Sequence, residues 1–300
     1  IVLIGTGLVG MSFAIREGEA WYVPVGDDPC GVAGEFKAVL ENPETLKIGQ
    51  NMKYDLQVLR SCGIRLAGPM FDTMIAHYLL HPEMRHGMDY LAEAYLNYQT
   101  IHIEELIGTG KRQRSMADVP AQDVCPYAAE DADVTLRLRN VFAPQLEAEG
   151  CTALFRDIEM PLMPVLAQME RNGVRIDTLG LEETSALYTR QMQQMEQEIH
   201  EMAGMQFNVS SPRQVGEVLF DQLHLSSKAK KTKTGQYVTS EEVLESLRPK
   251  HPIVGKILEY RGLKKLLSTY IDALPLLVNS RTGHIHTSFN QTVTATGRLS

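Results

Sequence analysis

Tyr127-Ala128-Ala129-Glu130-Asp131, set inside a run of helical periodicity over 120–149, decides how the first half of this chain is read. Residues four apart are neighbours on a helix, so the Tyr127 phenol and the Asp131 carboxyl are expected side by side. Asp133 is expected to point elsewhere, at the surface. A second acidic signature, Asn51-Met52-Lys53-Tyr54-Asp55, puts Asp55 at the start of a helix over 54–62, where the helix dipole favours a carboxylate. Two aspartates and a phenol suit metal-assisted phosphodiester cleavage. In that chemistry two divalent ions about 3.5–4 Å apart activate a water and stabilise the leaving oxygen, and hard oxygen ligands hold them.

Outward from these signatures, residues 8–25 alternate apolar and polar about Gly18-Glu19, a hairpin pattern. A helix is expected after Gly34, a short strand over 46–49, and helices over 73–80 and 88–96. Strands first and helices afterwards suit a mixed sheet flanked by helices. Past Cys151 strand signals nearly vanish. Met192, Met195, Ile199 and Met202 fall at helical spacing, as do Ile257, Leu258, Leu263, Leu266, Leu267 and Tyr270 within 253–274. Two such helices are expected to pack antiparallel, their Met-rich stripes acting as core. Between them the basic, polar run 226–236 is expected to be a mobile loop whose lysines touch phosphates without reading bases.

The 300 residues, 44% of them hydrophobic, are enough for two domains with real cores. No run of about 18 apolar residues suggests a membrane span, and no signal peptide leads the chain; a soluble, cytoplasmic, nucleoid-associated monomer is expected. Cys30, Cys62, Cys125 and Cys151 lack C-x-x-C spacing and are expected to be reduced thiols. The net charge of −8 divides unevenly: residues 1–209 hold 16 Lys/Arg against 30 Asp/Glu, and residues 210–300 hold 13 against 7. A nucleic acid would therefore meet the second half.

Gly5-Thr6-Gly7-Leu8-Val9-Gly10 follows an apolar run and matches the G-x-G-x-x-G of dinucleotide sites. That motif needs a helix opening at the glycines. The strand signal at Trp21-Tyr22-Val23-Pro24-Val25 leaves no room for one, so nicotinamide binding is not expected.

Asn51 to Asp55, Phe71-Asp72-Thr73-Met74, Met88-Asp89-Tyr90-Leu91-Ala92 and residues 127–133 resemble, in that order, the 3′→5′ proofreading exonuclease domain of family A DNA polymerases of the bacterial polymerase I type. Ile158-Glu159-Met160-Pro161, residues 207–214 (F-N-V-S-S-P-R-Q), 259–265 (E-Y-R-G-L-K-K) and 294–300 (T-A-T-G-R-L-S) resemble that family's thumb and the first stretch of its palm. The resemblance implies an α/β ribonuclease H-like exonuclease domain over 1–150. A mainly α-helical thumb with the first strand of a truncated palm would occupy 151–300.

The resemblance also implies roles. Asp131 and Asp55 would ligate two Mg2+ or Mn2+ ions, Tyr127 would orient the attacking water, and Asn51 and Tyr54 would lie beside a frayed single-stranded 3′ end. Lys230, Lys231, Lys233, Arg261, Lys264, Lys265 and Arg298, with Ser210, Ser211 and Gln214, would contact a DNA template–primer; Ser210-Ser211-Pro212 is equally an ordinary helix start. Deoxynucleotides would be partners of the parent polymerase alone. The family's opening Asp-x-Glu pair is absent, as no acidic residue precedes Glu17. The chain is thus expected to be a fragment of a replication and repair polymerase, itself incompetent as nuclease or polymerase. The alternatives are a stand-alone ribonuclease D-like 3′→5′ exonuclease and a non-catalytic DNA-binding protein.

Overall fold

Gly18, with φ of 79°, turns the chain between two strands where the alternation predicts a hairpin. The computed structural model describes residues 2–4 and 7–300, so Ile1, Gly5 and Thr6, the last two within the G-x-G-x-x-G run, lie outside it. Strands β1 (Val2–Ile4), β2 (Gly10–Arg16) and β3 (Glu19–Pro24) form an antiparallel sheet in that order. Gly10 opens strand β2 rather than a helix.

The chain then folds helices α1 (Pro29–Glu35) and α2 (Lys37–Leu40), strand β4 (Lys47–Gly49), helix α3 (Met52–Ser61) and strand β5 (Met70–Asp72). Strands β4 and β5 pair in parallel, Gly49 opposite Asp72. Among the described residues the expected mixed sheet is realised as two separate sheets, one antiparallel and one parallel. Helices α4 (Thr73–Leu80), α5 (Met88–Leu96), α6 (Ile103–Ile107) and α7 (Ala121–Ala148) follow. Helix α7 packs on β2, β3 and β4. It buries Val134, Leu138, Phe142 and Leu146, one per turn, in a core shared with Met11, Leu40, Leu59 and Leu91. Each such side chain contributes about 1.5–3 kcal/mol by leaving water.

Helices α8 (Thr152–Leu154) and α9 (Met160–Asn172) complete the first of two compact units, which comprises residues 1–172 and 287–300. This boundary lies beyond the 150/151 division expected from sequence, because Met160 and Met163 of α9 belong to the first core. Residues 287–300, which include the 294–300 stretch likened to the start of a palm, form no strand. The segment closes on itself through Asn290 and Ser300, which exchange backbone hydrogen bonds of 2.9 and 3.1 Å.

The second unit, residues 173–286, is helical: α10 (Thr178–Ala203), α11 (Pro212–Gly216), α12 (Glu241–Leu247), α13 (Pro252–Leu266) and α14 (Ala273–Leu276). Glu198 pairs with Lys256 at 2.6 Å and Ser185 donates to Asp272 at 2.7 Å, so α10 and the path from α13 onward run antiparallel. Met192, Met195, Ile199 and Met202 pack on Val215, Leu244, Ile253 and Ile257 as the stripe predicts. The second stripe is only half core, since Leu266 and Tyr270 are exposed.

Two further sequence expectations need correction. The basic run folds as a tight hairpin: Val238 N–H donates to Lys230 O, Thr232 N–H to Gln236 O and Gly235 N–H to Thr232 O, at 2.7–2.9 Å. Cys30 and Cys62 are joined by a disulfide across 32 residues, because α1 and the end of α3 meet in space where spacing alone gives no sign of it. Cys125 and Cys151 remain free thiols. Among the described residues no helix is long and apolar enough to cross a membrane.

Candidate active site

Where β4 ends, the chain passes through Asn51 in the left-handed region (φ 60°, ψ 49°) and enters α3. Asp72, across the parallel pair from Gly49, holds that turn. Its carboxylate accepts from Asn51 N–H at 3.2 Å and Met52 N–H at 2.6 Å, and caps α4 by accepting from Met74 N–H and Ile75 N–H at 2.8 and 3.3 Å. At 1% exposure, burial pushes its pKa upward against those four donors. Gly49 keeps the turn tight, as a Cβ there would meet Met52 Cγ at 2.5 Å and Asp55 Oδ2 at 3.6 Å. Asp55 is thus placed on the inner side of the first turn of α3, 6% exposed, while Asn51 and Tyr54 face solvent. Burial and the neighbouring Asp55 charge raise the Tyr54 phenol.

Tyr127 and Asp131 stand one turn apart on α7, hydrogen-bonded to each other. Tyr127 packs with Met116, Val119 and Ala128. Burial lifts Asp131 to about 7; the Tyr127 hydroxyl pulls it down, and the charges of Glu130 and Asp89 push it further up. Glu130 is held by Tyr98 Oη–H and Ile101 N–H, both at 2.7 Å, and Asp89 by Thr100 Oγ1–H at 2.8 Å. A carboxyl poised near neutrality can take or release a proton under ordinary conditions, and a cation beside it would drive the proton off. The Tyr127 phenol, raised by burial and by Asp131, stays protonated and remains a donor.

Asp55 and Asp131 have the right chemistry for Mg2+ or Mn2+. Among the described residues, however, no three His, Cys, Asp or Glu side chains converge to hold an ion, so these donors do not complete a site for one ion or for two. Asp133 is not the surface residue expected. It pairs with Arg137 at 2.6 Å and accepts from Gly18 N–H at 2.6 Å, fastening the β2–β3 turn to α7.

In the second unit, the sequence-selected cations take different places. Lys264 donates to Ser210 Oγ, which lies 3.4 Å from Tyr260 Oη, so the F-N-V-S-S-P and E-Y-R-G-L-K-K segments meet. Ser211 caps α11 through Gln214 N–H, as at an ordinary helix start, and Gln214 Oε1 accepts from Asn208 N–H at 2.6 Å. Arg261 is turned inward, donating to Thr239 O at 2.6 Å and to its Oγ1 at 3.3 Å. Lys230, Lys233 and Lys265 are exposed, and Lys231 lies 4.3 Å over the Tyr237 ring. Arg298 is exposed in the first unit, on the segment whose Thr294 O and Gly297 N–H are held by Tyr78 Oη at 2.7 and 3.1 Å.

Sequence reasoning missed Asp72, Lys53 and Glu170. Asp72 carried a legible sign, an Asp-Thr pair directly before an apolar helix. Glu170 carried none. It accepts from Lys53, from Gln57 and from Phe289 N–H, and those donors outweigh burial to hold its carboxyl below the usual range.

Residues 3–147 match the family model for the 3′-5′ exonuclease, and residues 178–300 that for DNA polymerase family A. Domains of both kinds generally use divalent metals. The chain is similar to DNA polymerase I of Pseudomonas aeruginosa (44% identity, 98% of this chain, 34% of the relative) and of Chloroflexus aurantiacus (43%, 99% and 33%). It is likewise similar to DNA polymerase I of Geobacillus stearothermophilus (38%, 98% and 33%). It spans about a third of the length of these relatives. Among solved structures it matches the POL domain of Pol1 from M. smegmatis in complex with DNA primer-template and dNTP, with a TM-score of 0.82 and 29% identity over 99% of this chain and 50% of that one.

Proposed function

Because the chain belongs to the family A DNA polymerases, with an exonuclease part and a polymerase part in succession, we propose that it joins a 3′→5′ editing module to a module that grips duplex primer–template in replication and repair. We place the functional division at 150/151, with a thumb and the start of a palm beyond it; the two family matches end at 147 and resume at 178. The polymerase match over 178–300 argues against a stand-alone ribonuclease D-like nuclease.

The observation that carries the reading is the pair of buried Asp131 and half-buried Tyr127, with Asp131 poised at about 7. Exposed Tyr54 offers a ring face to a terminal base, and Asn51 beside it an amide for hydrogen bonding. Tyr127, a permanent donor, orients a water beside Asp131, which can accept its proton near neutral pH. Asp55 and Asp131 would be two ligands of a two-ion Mg2+ or Mn2+ site whose other ligands are not among the described residues. In the second unit, Lys230, Lys233, Lys264 and Lys265 attract phosphates without reading sequence, and Ser210, Ser211 and Gln214 line the same motif. The working setting is a monomer on the nucleoid, with deoxynucleotides as substrates of the complete polymerase.

The test is fluorescence anisotropy of the purified chain with labelled primer–template duplexes of two unrelated sequences across a salt series. Equal affinities that fall linearly on a log–log salt plot are expected. No binding, or binding indifferent to salt, would sink the reading.

A further inference from the structure

Cys30, the second residue of α1, and Cys62, the C-cap of α3, are joined by a disulfide with their Cα atoms 4.8 Å apart. Cys30 is exposed and Cys62 half-buried against the first core, so a reagent reaches the bond from the Cys30 side. The two cysteines do not depend on that bond to stay together. Lys37 Nζ donates to Gly63 O at 3.2 Å, Arg65 N–H to Glu41 Oε1 at 2.9 Å and Ala67 N–H to Leu40 O at 3.2 Å. Beneath these ties Leu40, Leu59, Ile64 and Leu66 are buried in one core. The chain on either side of Cys62 is therefore stitched to the 37–41 stretch that follows α1, whether its sulfur is bonded or free.

A disulfide that alone holds two elements together is structural, and its loss unfolds them. One laid over contacts that already hold them can open and close with the fold intact. We propose that Cys30 and Cys62 form a reversible redox modification site, which takes a low-molecular-weight disulfide as its oxidant and the corresponding thiol as its reductant. Closing runs in two exchanges. The exposed Cys30 thiolate attacks one sulfur of the small disulfide, forming a mixed disulfide and releasing one small thiol. Cys62, held within bonding reach, then attacks Cys30 Sγ, forms the intramolecular bond and expels the second small thiol. Two protein thiols are oxidised to one disulfide, one small disulfide is reduced to two thiols, and the two protons leaving the cysteines end on those thiols. Reduction is the same pair of steps in reverse. Cys125 and Cys151, both free, form no such pair. The closed bond acts on α3: it clamps the C-terminal end of the helix whose first turn places Tyr54 and Asp55, and in the unfolded chain it closes a loop across 32 residues.

The experiment uses the 300-residue chain, reduced with dithiothreitol, desalted and equilibrated in glutathione buffers of stepped disulfide-to-thiol ratio. Acid quenching, alkylation and peptide mass spectrometry read which cysteines are bonded. A single transition joining Cys30 to Cys62 is expected, the same whether approached from the oxidised or the reduced side. The oxidised form should melt about 5–10 °C above the reduced form, and hydrogen exchange over Leu59 to Cys62 should be slower in it. Cys62→Ser should stop at the glutathione mixed disulfide on Cys30, whereas Cys30→Ser should take up glutathione at position 62 about tenfold more slowly. A reduced wild type that is unfolded, a bond that dithiothreitol cannot open in the folded chain, or equal melting of the two forms overturns the proposal. So does oxidation that joins Cys125 or Cys151, or that leaves all four thiols free in excess oxidised glutathione.

Discussion

The Asp72 carboxylate lies 2.6 Å from the Met52 N–H, and its other oxygen caps the helix that Asp72 itself precedes. One buried side chain thereby starts both α3 and α4, and the placement of Asn51, Tyr54 and Asp55 depends on it. Replacing it removes acceptors from four backbone donors. Asp72→Ala is expected to cost about 2–4 kcal/mol in urea unfolding, more than an ordinary cap loss, because the stranded N–H groups are buried. Asp72→Asn, which keeps one acceptor oxygen, should cost less.

Tyr127 lowers the pKa of Asp131 by donating to its carboxylate. In Tyr127→Phe that donor is gone while burial and the Glu130 and Asp89 charges remain, so Asp131 should titrate above its present value of about 7. Carbon-detected NMR of the Asp131 carboxyl across pH 5–9 reads this directly. A downward move would contradict the assigned cause.

Two buried groups set opposite pH trends over one window. His77, fully buried with Nδ1 2.7 Å from His86 Nδ1, is lowered from 6.5 to about 4 by burial and by the His86 and His81 charges. Its contribution is complete above 6.5 and is lost as pH falls toward 4. Asp131 is raised from 3.8 to about 7, so its contribution is complete below 3.8 and is lost as pH rises toward 7. Each is worth on the order of 3–4 kcal/mol, with opposing signs. In metal-free buffer, Asp131→Asn should therefore gain stability relative to wild type steadily between pH 4 and 7. Urea midpoints along that range give the measurement.

The incomplete carboxylate set has a thermal signature. A ligand that binds the folded chain raises its melting temperature in proportion to RT ln(1 + [L]/Kd). Millimolar Mg2+ or Mn2+ should raise it little, and a chelator should not lower it. No 3′→5′ degradation of an end-labelled oligonucleotide is expected from the isolated chain. A large, saturable stabilisation by Mn2+ that Asp131→Asn abolishes would show that the site is complete after all.

The cations of the second unit separate by role. Lys230→Ala, Lys233→Ala and Lys265→Ala should each lower the slope of log affinity against log salt by about one, with little effect on melting. Arg261→Ala should instead lower the melting temperature, because its guanidinium holds Thr239 O.

Much of this molecule was legible from local pattern. Helices α4, α5 and α7 follow from apolar periodicity, and the Tyr127–Asp131 adjacency follows from helix geometry alone. What the pattern could not carry is long-range pairing. Cys30 finds Cys62 only because α1 meets the end of α3. Glu170 finds Lys53 across 117 residues and Phe289 across 119, and no spacing rule anticipates either. Arg261 looked like a phosphate ligand because its residue type and motif say so. Its inward turn depends on where the hairpin leaves Thr239. Strand β5 escaped because its three residues, two of them buried beside a parallel partner, show no alternation.

Val174 and Ile285 exchange backbone hydrogen bonds of 2.8 and 2.9 Å, so the helical unit leaves and re-enters at a single doorway. It is an excursion of the chain, inserted within the first unit rather than appended to it. Insertions whose ends meet can be cut out and bridged by a few flexible residues without stretching the host. A chain spliced from 172 to 287 through a short glycine–serine bridge should therefore keep the Tyr127–Asp131 and Lys53–Glu170 pairs while losing every lysine of the grip.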